Sequence, residues 1–283
     1  MNLLRVLVDG LVLGSGYMLA SVGLTLVFGI LGIYNFAHGE FVMLGAYIVF
    51  VFFAQNHFPF IVTALLAMLV IGSLAAAVER GLFKPARKKP FNAYLISIGL
   101  VYILQVLALL IWGGIGKANP LVTTGLVKIG GITFTLERLL LIPIVLSVMF
   151  VIWILLERTK YGRAVRATSQ DPRSATLMGI SVDGMSTLVM FIAGSLAGLA
   201  GAVMSQFTYV SPTFGSNVIM KAFVCVIVGG SGSIGGTIVA ALIFGLLDSS
   251  VSAFISPSIA VLADAILLAI ILVIRPQGIF GNE

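Results

Sequence analysis

The chain has 283 residues, of which 60% are hydrophobic and 9% charged, against about 25% charged in a soluble domain. Water is therefore not its main solvent, and the length suits one polytopic membrane domain over 1–283 better than one or two soluble domains. The formal charge of +6 lies in short loops between apolar runs, which points to the charge-orientation rule of membranes and excludes nucleic acid as the expected partner.

In chain order, the first element is an apolar run over about 11–32, with only Arg5 ahead of it. It is too long for a signal-peptide core and no clear cleavage site ends it, so a retained first span is expected. The next stretch, 36–54, resumes after a polar break formed by Asn35, His38, Gly39 and Glu40. Unpaired polar groups in hydrocarbon cost several kcal/mol, on the order of a lost hydrogen bond or more. Two readings are open. Either the break lies on the bundle side of a broken helix, at the wall of a path, or "NFAHGE" is an aqueous turn between two full spans.

Spans of about 20 apolar residues are expected at 58–78, 93–114, 139–156, 185–205 and 259–274, with shorter segments at 217–230 and 233–254. The expected fold is all-α: a polytopic transmembrane helical bundle of about eight or nine segments, two of them broken or re-entrant. The loop 79–94 carries Arg80, Lys84, Arg87, Lys88 and Lys89, and 157–175 carries Arg158, Lys160, Arg163, Arg166 and Arg173. Two spans separate these loops, so they share one face, and the positive-inside rule makes that face cytoplasmic. The loop 115–138 then lies outside and the C-terminus inside; a full crossing by 36–54 would put the N-terminus outside.

A cytoplasmic loop over 157–184 contains a short helix signal: Asp171 as N-cap, Pro172 at the first helical position and Gly179 at the end. Ala175, Leu177 and Met178 are expected to form an apolar face for a groove on a soluble partner; a basic loop resting on anionic lipid is the other reading. The second polar break is read at Gly229, Gly230, Ser231, Gly232 and Ser233. With Gly29 and Gly32 before the first break, it suggests a weak internal repeat, and paired interruptions point to a central site. Gly230, Gly235 and Thr237 approach a phosphate-binding loop, but Gly236 stands where the lysine that faces the nucleotide is required. Close backbone packing or a bend is the expected role of these glycines.

Asp248 and Asp264 are read either as part of an ion pathway or, as expected, at the interfacial ends of helices, with Lys221 at the outer edge. Trp112 and Trp153 read as interfacial anchors. Cys225, the single cysteine, is a small packing residue with no intrachain disulfide to form. With two histidines, His38 and His57, neither a metal cluster nor a catalytic triad is supported.

"GLTLVFGILGIYNFAHGEFVMLGAY" (23–47) resembles the N-terminal signature of branched-chain amino-acid ABC transporter permeases of the LivH type, G-L-T-L-x-F-G-x-x-x-x-x-N-F-A-H-G, matched by Asn35, Phe36, Ala37, His38 and Gly39. "GRAVRATSQDPRSATLMGI" is similar to the family's cytoplasmic loop. Arg173, Ser174, Ala175 and Gly179 occupy the positions of the general E-A-A-x-x-x-G coupling sequence, where only Ala175 and Gly179 agree with it. The tail "IRPQGIFG" also looks like the family's, and the resemblance runs from about residue 10 to 281. It implies a non-catalytic permease subunit in a bacterial or archaeal plasma (inner) membrane, working by alternating access. The implied partners are a related second permease, two cytoplasmic ATPase subunits and an extracytoplasmic solute-binding protein. No cofactor is expected on this chain; ATP and Mg belong to the ATPase subunits. The same machine carrying urea, short amides or other amino acids, and an ion-coupled carrier using Glu40, Asp248 or Asp264, are the competing readings.

Overall fold

A computed structural model describes residues 3–87, 90–123, 125–129, 132–275 and 277–280. Lys88 and Lys89 of the first basic loop, and Pro276 and Gly281 of the tail, lie outside the described residues. The helices are α1 (Leu3–Leu31), α2 (His38–Gln55), α3 (Phe60–Ala86), α4 (Pro90–Trp112), α5 (Leu136–Arg158), α6 (Lys160–Gln170), α7 (Pro172–Leu177), α8 (Val182–Met204), α9 (Phe214–Gly229), α10 (Ile234–Phe254) and α11 (Pro257–Ile274). Eight of them, α1 to α5, α8, α10 and α11, are long and apolar enough to cross a membrane. The chain is an all-α membrane bundle; among the described residues the two named strands, β1 (Leu126–Ile129) and β2 (Ile132–Thr135), pair as an antiparallel hairpin between α4 and α5.

In lipid there is no hydrophobic drive between helices, so association rests on close packing of small residues. The core shows this directly. A β-carbon on Gly14 of α1 would lie 3.2 Å from the Leu242 Cα of α10. One on Gly45 of α2 would lie 2.7 Å from the Gly198 Cα of α8, and one on Gly198 would lie 2.8 Å from the Ala67 carbonyl carbon of α3. α1 and α8 are therefore the buried centre, while α4, α5 and α11 present mostly exposed apolar side chains and form the rim.

The contacts fix directions. α1 runs antiparallel to α10, with Gly10 against Leu246 and Gly29 beside Gly232. The C-terminal end of α1 shares a cleft with Leu156, Glu157 and Arg166. It therefore lies at the end of the bundle that carries the basic loops, called the basic end below. The N-terminus lies at the far end, with Arg138 paired to Asp9 there. At the basic end Lys84 and Arg87 both bind Asp183 (2.8 Å each), and Arg87 also pairs with Glu79. These bonds tie the exit of α3 to the entry of α8.

Candidate functional site

α1 ends at Leu31 and Gly32 turns the chain at φ 61°, a left-handed conformation that favours glycine. The chain does not leave the bundle from there. It runs back inward, and His38, the first residue of α2, places Nε2 3.0 Å from the Ala20 carbonyl of α1. Ala20 lies eleven residues before Leu31, about 16 Å deeper along the helix at 1.5 Å per residue. α2 thus starts inside the bundle, and the polar break is a re-entrant junction rather than an aqueous turn. Asn35, His38 and Glu40 are all buried, at 1%, 1% and 0% exposure.

A second junction meets the first. α8 ends at Met204, and 205–213 returns from the far end, held by a two-way backbone bridge between Val210 and Lys117 (2.8 Å each way). α9 then starts at Phe214 with its Gly215 against Gly39. A β-carbon on Gly39 would strike the Gly215 carbonyl and stand 2.7 Å from the Ile219 Cβ. The first turns of α2 and α9 thus abut in the middle of the bundle. Gln105 of α4 joins them, donating from Nε2 to Glu40 Oε1 (2.9 Å) and Ser216 Oγ (2.7 Å). Among the described residues, Glu40 Oε2 and both side-chain polar atoms of Asn35 are buried without a hydrogen-bond partner. Toward the basic end an aromatic group follows, with Phe36 4.7 Å from Phe223 and 5.5 Å from Tyr94, ring centre to ring centre.

The structure separates what the glycine pattern joined. Gly229, Gly230, Ser231, Gly232 and Ser233 form the turn between α9 and α10 at the basic end, with Gly230 and Gly232 at φ 98° and 92°. Gly229 is fourteen residues along α9 from Gly215, about 21 Å. The stretch that mirrors 32–37 is 205–213, which the sequence reading missed; it lacks a run of glycines, and its signal is the short α9 that follows, 16 residues or about 24 Å. Ser231, Gly232 and Ser233 of this turn instead line a cleft of about 780 Å³ with Thr25, Gly29, Glu157 and Arg166.

The loop helix forms as its capping signals require. The Asp171 Oδ1 accepts from the amides of Arg173 (2.9 Å) and Ser174 (3.2 Å), and Oδ2 accepts from the Ser174 hydroxyl (2.5 Å). The Ser174 hydroxyl first, then the two amides, hold the Asp171 carboxyl below the usual carboxylate range. Gly179 closes α7 at φ 81°, with the Ile180 amide returning to the Ala175 carbonyl (3.0 Å). One expectation is corrected. Ala175 is buried at 4% while Leu177 and Met178 are 88% and 83% exposed, so the three do not share a face. α7 is anchored by its small residue and projects its two large ones.

The intramembrane charges also differ from expectation. Asp248, Asp264 and Lys221 are not at helix ends. Lys221 donates to both oxygens of Asp248 (2.8 and 2.9 Å) and pairs with Asp264, and the Tyr17 hydroxyl donates to Asp248 (2.8 Å). Charges in a bilayer interior gain by pairing with each other, and four helices converge to allow it. Trp112, partly buried at the end of α4, stacks on the buried Tyr47 with ring centres 4.2 Å apart, whereas Trp153 is half exposed with Arg158 over its ring.

Residues 6–275 match a family model described as "Branched-chain amino acid transport system / permease component". The chain is 31% identical to the high-affinity branched-chain amino acid transport system permease protein LivH of Escherichia coli K12, over 99% of this chain and 96% of that protein. It is 30% identical to BraD, the corresponding permease protein of Pseudomonas aeruginosa, with the same coverage. A probable branched-chain amino acid transport permease protein LivH of Methanocaldococcus jannaschii is 24% identical over 99% of this chain and 93% of its own length. No solved structure matches the chain.

Proposed function

The chain belongs to the branched-chain amino acid transport permease family, and we propose that it is one membrane-spanning subunit of an ATP-driven importer for leucine, isoleucine and valine. The observation that carries a transport role is the junction at mid-depth, where two helices start inside the bundle and leave Asn35 and Glu40 with unpartnered polar atoms. Irregular backbone at that depth is tolerated where protein buries it or where it borders a water-filled cavity. Such paired helix starts suit a path that opens by shifting one half against the other. The cargo is taken from the names of the full-length relatives. Urea, short amides and other amino acids remain the competing cargoes.

In this reading the basic end faces the cytoplasm, which places the C-terminus inside and the N-terminus outside. Energy comes from two ATPase subunits that hold ATP and Mg and receive α7, with Leu177 and Met178 seated in a groove. A related permease completes the path, and an extracytoplasmic binding protein supplies selectivity. The asparagine, histidine and glutamate of the first junction, Asn35, His38 and Glu40, with Gly39, form the wall near the middle. Gly229 to Ser233 border the inward exit.

The test is uptake of labelled leucine into proteoliposomes holding this chain, a second permease and two ATPase subunits of such an importer, with the binding protein outside. Import that requires ATP, the ATPases and the binding protein supports the reading. Uptake by this chain alone on a proton or sodium gradient would replace it with an ion-coupled carrier.

A further inference from the structure

The polar cluster at the centre of the bundle does not balance. Lys221 of α9 brings one positive charge and Asp248 of α10 and Asp264 of α11 bring two carboxyls. All three side chains are largely buried, at 18%, 8% and 5% exposure. Tyr17, midway along α1, adds a hydroxyl and no charge at neutral pH. The only other titratable group facing the cluster among the described residues is the buried Cys225 thiol of α9. Among the described residues no second cation approaches, so full ionisation would leave a net negative charge in the interior of the membrane.

The hydrogen bonds show which carboxyl is the odd one. Asp248 accepts three, two from Lys221 Nζ and one from Tyr17 Oη. Asp264 Oδ2 lies against Lys221 as a charge-pair contact, but neither Asp264 oxygen has a hydrogen-bond partner among the described residues. A buried, unsatisfied carboxylate oxygen is the costlier form, and a neutral carboxylic acid is the form that a neighbouring ion pair tolerates. α11 has only Ala260 and Asp264 buried, one turn apart, so Asp264 is its polar attachment to the bundle.

We propose that Asp264 is a proton-binding site: Lys221 and Asp248 form the ion pair, Tyr17 supports it, and a proton resident on the Asp264 carboxyl makes the cluster neutral. The proton is taken from water and no bond other than O–H is made. The site holds α11 and α9 together, and its occupancy reports whether Lys221 is in place. This inference concerns the chain's own charges and does not depend on the cargo or on the importer reading.

The experiment is infrared spectroscopy of the full chain in lipid nanodiscs at neutral pH, in H2O and D2O, comparing wild type with Asp264→Asn. The expected result is a carbonyl band of a protonated carboxyl, shifted by D2O, present in wild type and missing from Asp264→Asn. Asp264→Asn, which keeps the shape of the neutral acid, is expected to keep its folded-to-unfolded ratio within about tenfold of wild type. Asp248→Asn leaves Asp264 as the one carboxyl facing Lys221, so Asp264 should give up its proton to keep the cluster neutral and the band should be lost there too. No such band in wild type, or a band unchanged in Asp264→Asn, overturns the proposal. A band that appears only when sodium is replaced by choline also overturns it, since sodium would then be the resident cation. The wild-type comparison stands even if Asp248→Asn does not fold.

Discussion

The contact between Gly39 and Gly215 sets how closely α2 and α9 approach, and Gly39→Ala tests it. The added methyl meets the Gly215 carbonyl and the Ile219 Cβ at 2.7 Å. Neither is the free end of a flexible side chain, so the helices themselves must part. Overpacking of this kind costs about 1–3 kcal/mol, and the steepness of the contact argues for about 3. Alanine returns about 1 kcal/mol of helix propensity. The net is about 2 kcal/mol, or roughly thirtyfold in the folded ratio. Gly99→Ala in α4 is the control: nothing lies within 4 Å of its β-carbon position, so it should be neutral or gain up to about 1 kcal/mol. The assay is reversible unfolding in mixed micelles, alongside leucine uptake by the reconstituted complex. Gly39→Ala matching Gly99→Ala in stability and uptake would refute the claim that the two helix starts are in contact.

Gln105→Leu removes the donor shared by Glu40 and Ser216 and leaves the buried glutamate without a partner. A loss of about 1–3 kcal/mol is expected, read from the same unfolding curves, with Gln105→Ala no better. Leu177→Ser with Met178→Ser should leave folding unchanged, because both side chains are exposed, yet abolish co-purification of the ATPase subunits; retained co-purification would remove the docking role. Asp171 has a depressed carboxyl pKa in the folded loop, so its capping is fully present above the unfolded carboxylate range and fades as pH falls through the folded value. Hydrogen exchange at the Arg173 and Ser174 amides, corrected for intrinsic rates, should rise relative to neighbours in acid, and Asp171→Asn should flatten that dependence.

The fold class was legible because membrane solvent imposes a single rule: apolar runs of sufficient length become helices. The basic stretches at 79–94 and 157–175 and the capping signals of α7 were legible for local reasons, charge and hydrogen-bond geometry within a few residues, but 79–94 is not a loop: α3 runs on to Ala86 and α4 starts at Pro90. Three features were not. Asn35 to Glu40 are polar in sequence whether they face water or a buried partner, and only the Ala20 carbonyl at 3.0 Å from His38 separates the cases. The glycines at 229–232 outshone the true counterpart of the first junction, since a turn at the basic end and a re-entrant break both need small residues. Lys221, Asp248 and Asp264 fall near the edges of apolar windows, which suggests helix ends. Their pairing depends on four helices meeting, up to 247 residues apart between Tyr17 and Asp264, and no periodicity along one segment encodes that.

α9 is held at three places of unequal strength, and this orders how the bundle loosens. Its start is wedged against Gly39, its middle is bound through Lys221, and its end is tied to the tail by the Ile279 amide on the Val228 carbonyl (2.7 Å) and the Phe280 amide on the Gly229 carbonyl (3.3 Å). Breaking a buried ion pair costs about 3–5 kcal/mol, whereas the tail's two backbone hydrogen bonds are worth about 1 kcal/mol each. The tail is therefore the first attachment to open. In hydrogen exchange on the reconstituted chain, the amides of Ile279 and Phe280 should exchange well before those of 218–226, with protection lower by about 1–3 kcal/mol. Truncation after Arg275 should then free the end of α9 while leaving Lys221 paired, so exchange rises at 228–230 and stays low around 221. Equal protection of the tail and the helix interior would mean that α9 and the tail open as one unit, and that the Lys221 cluster alone fixes neither.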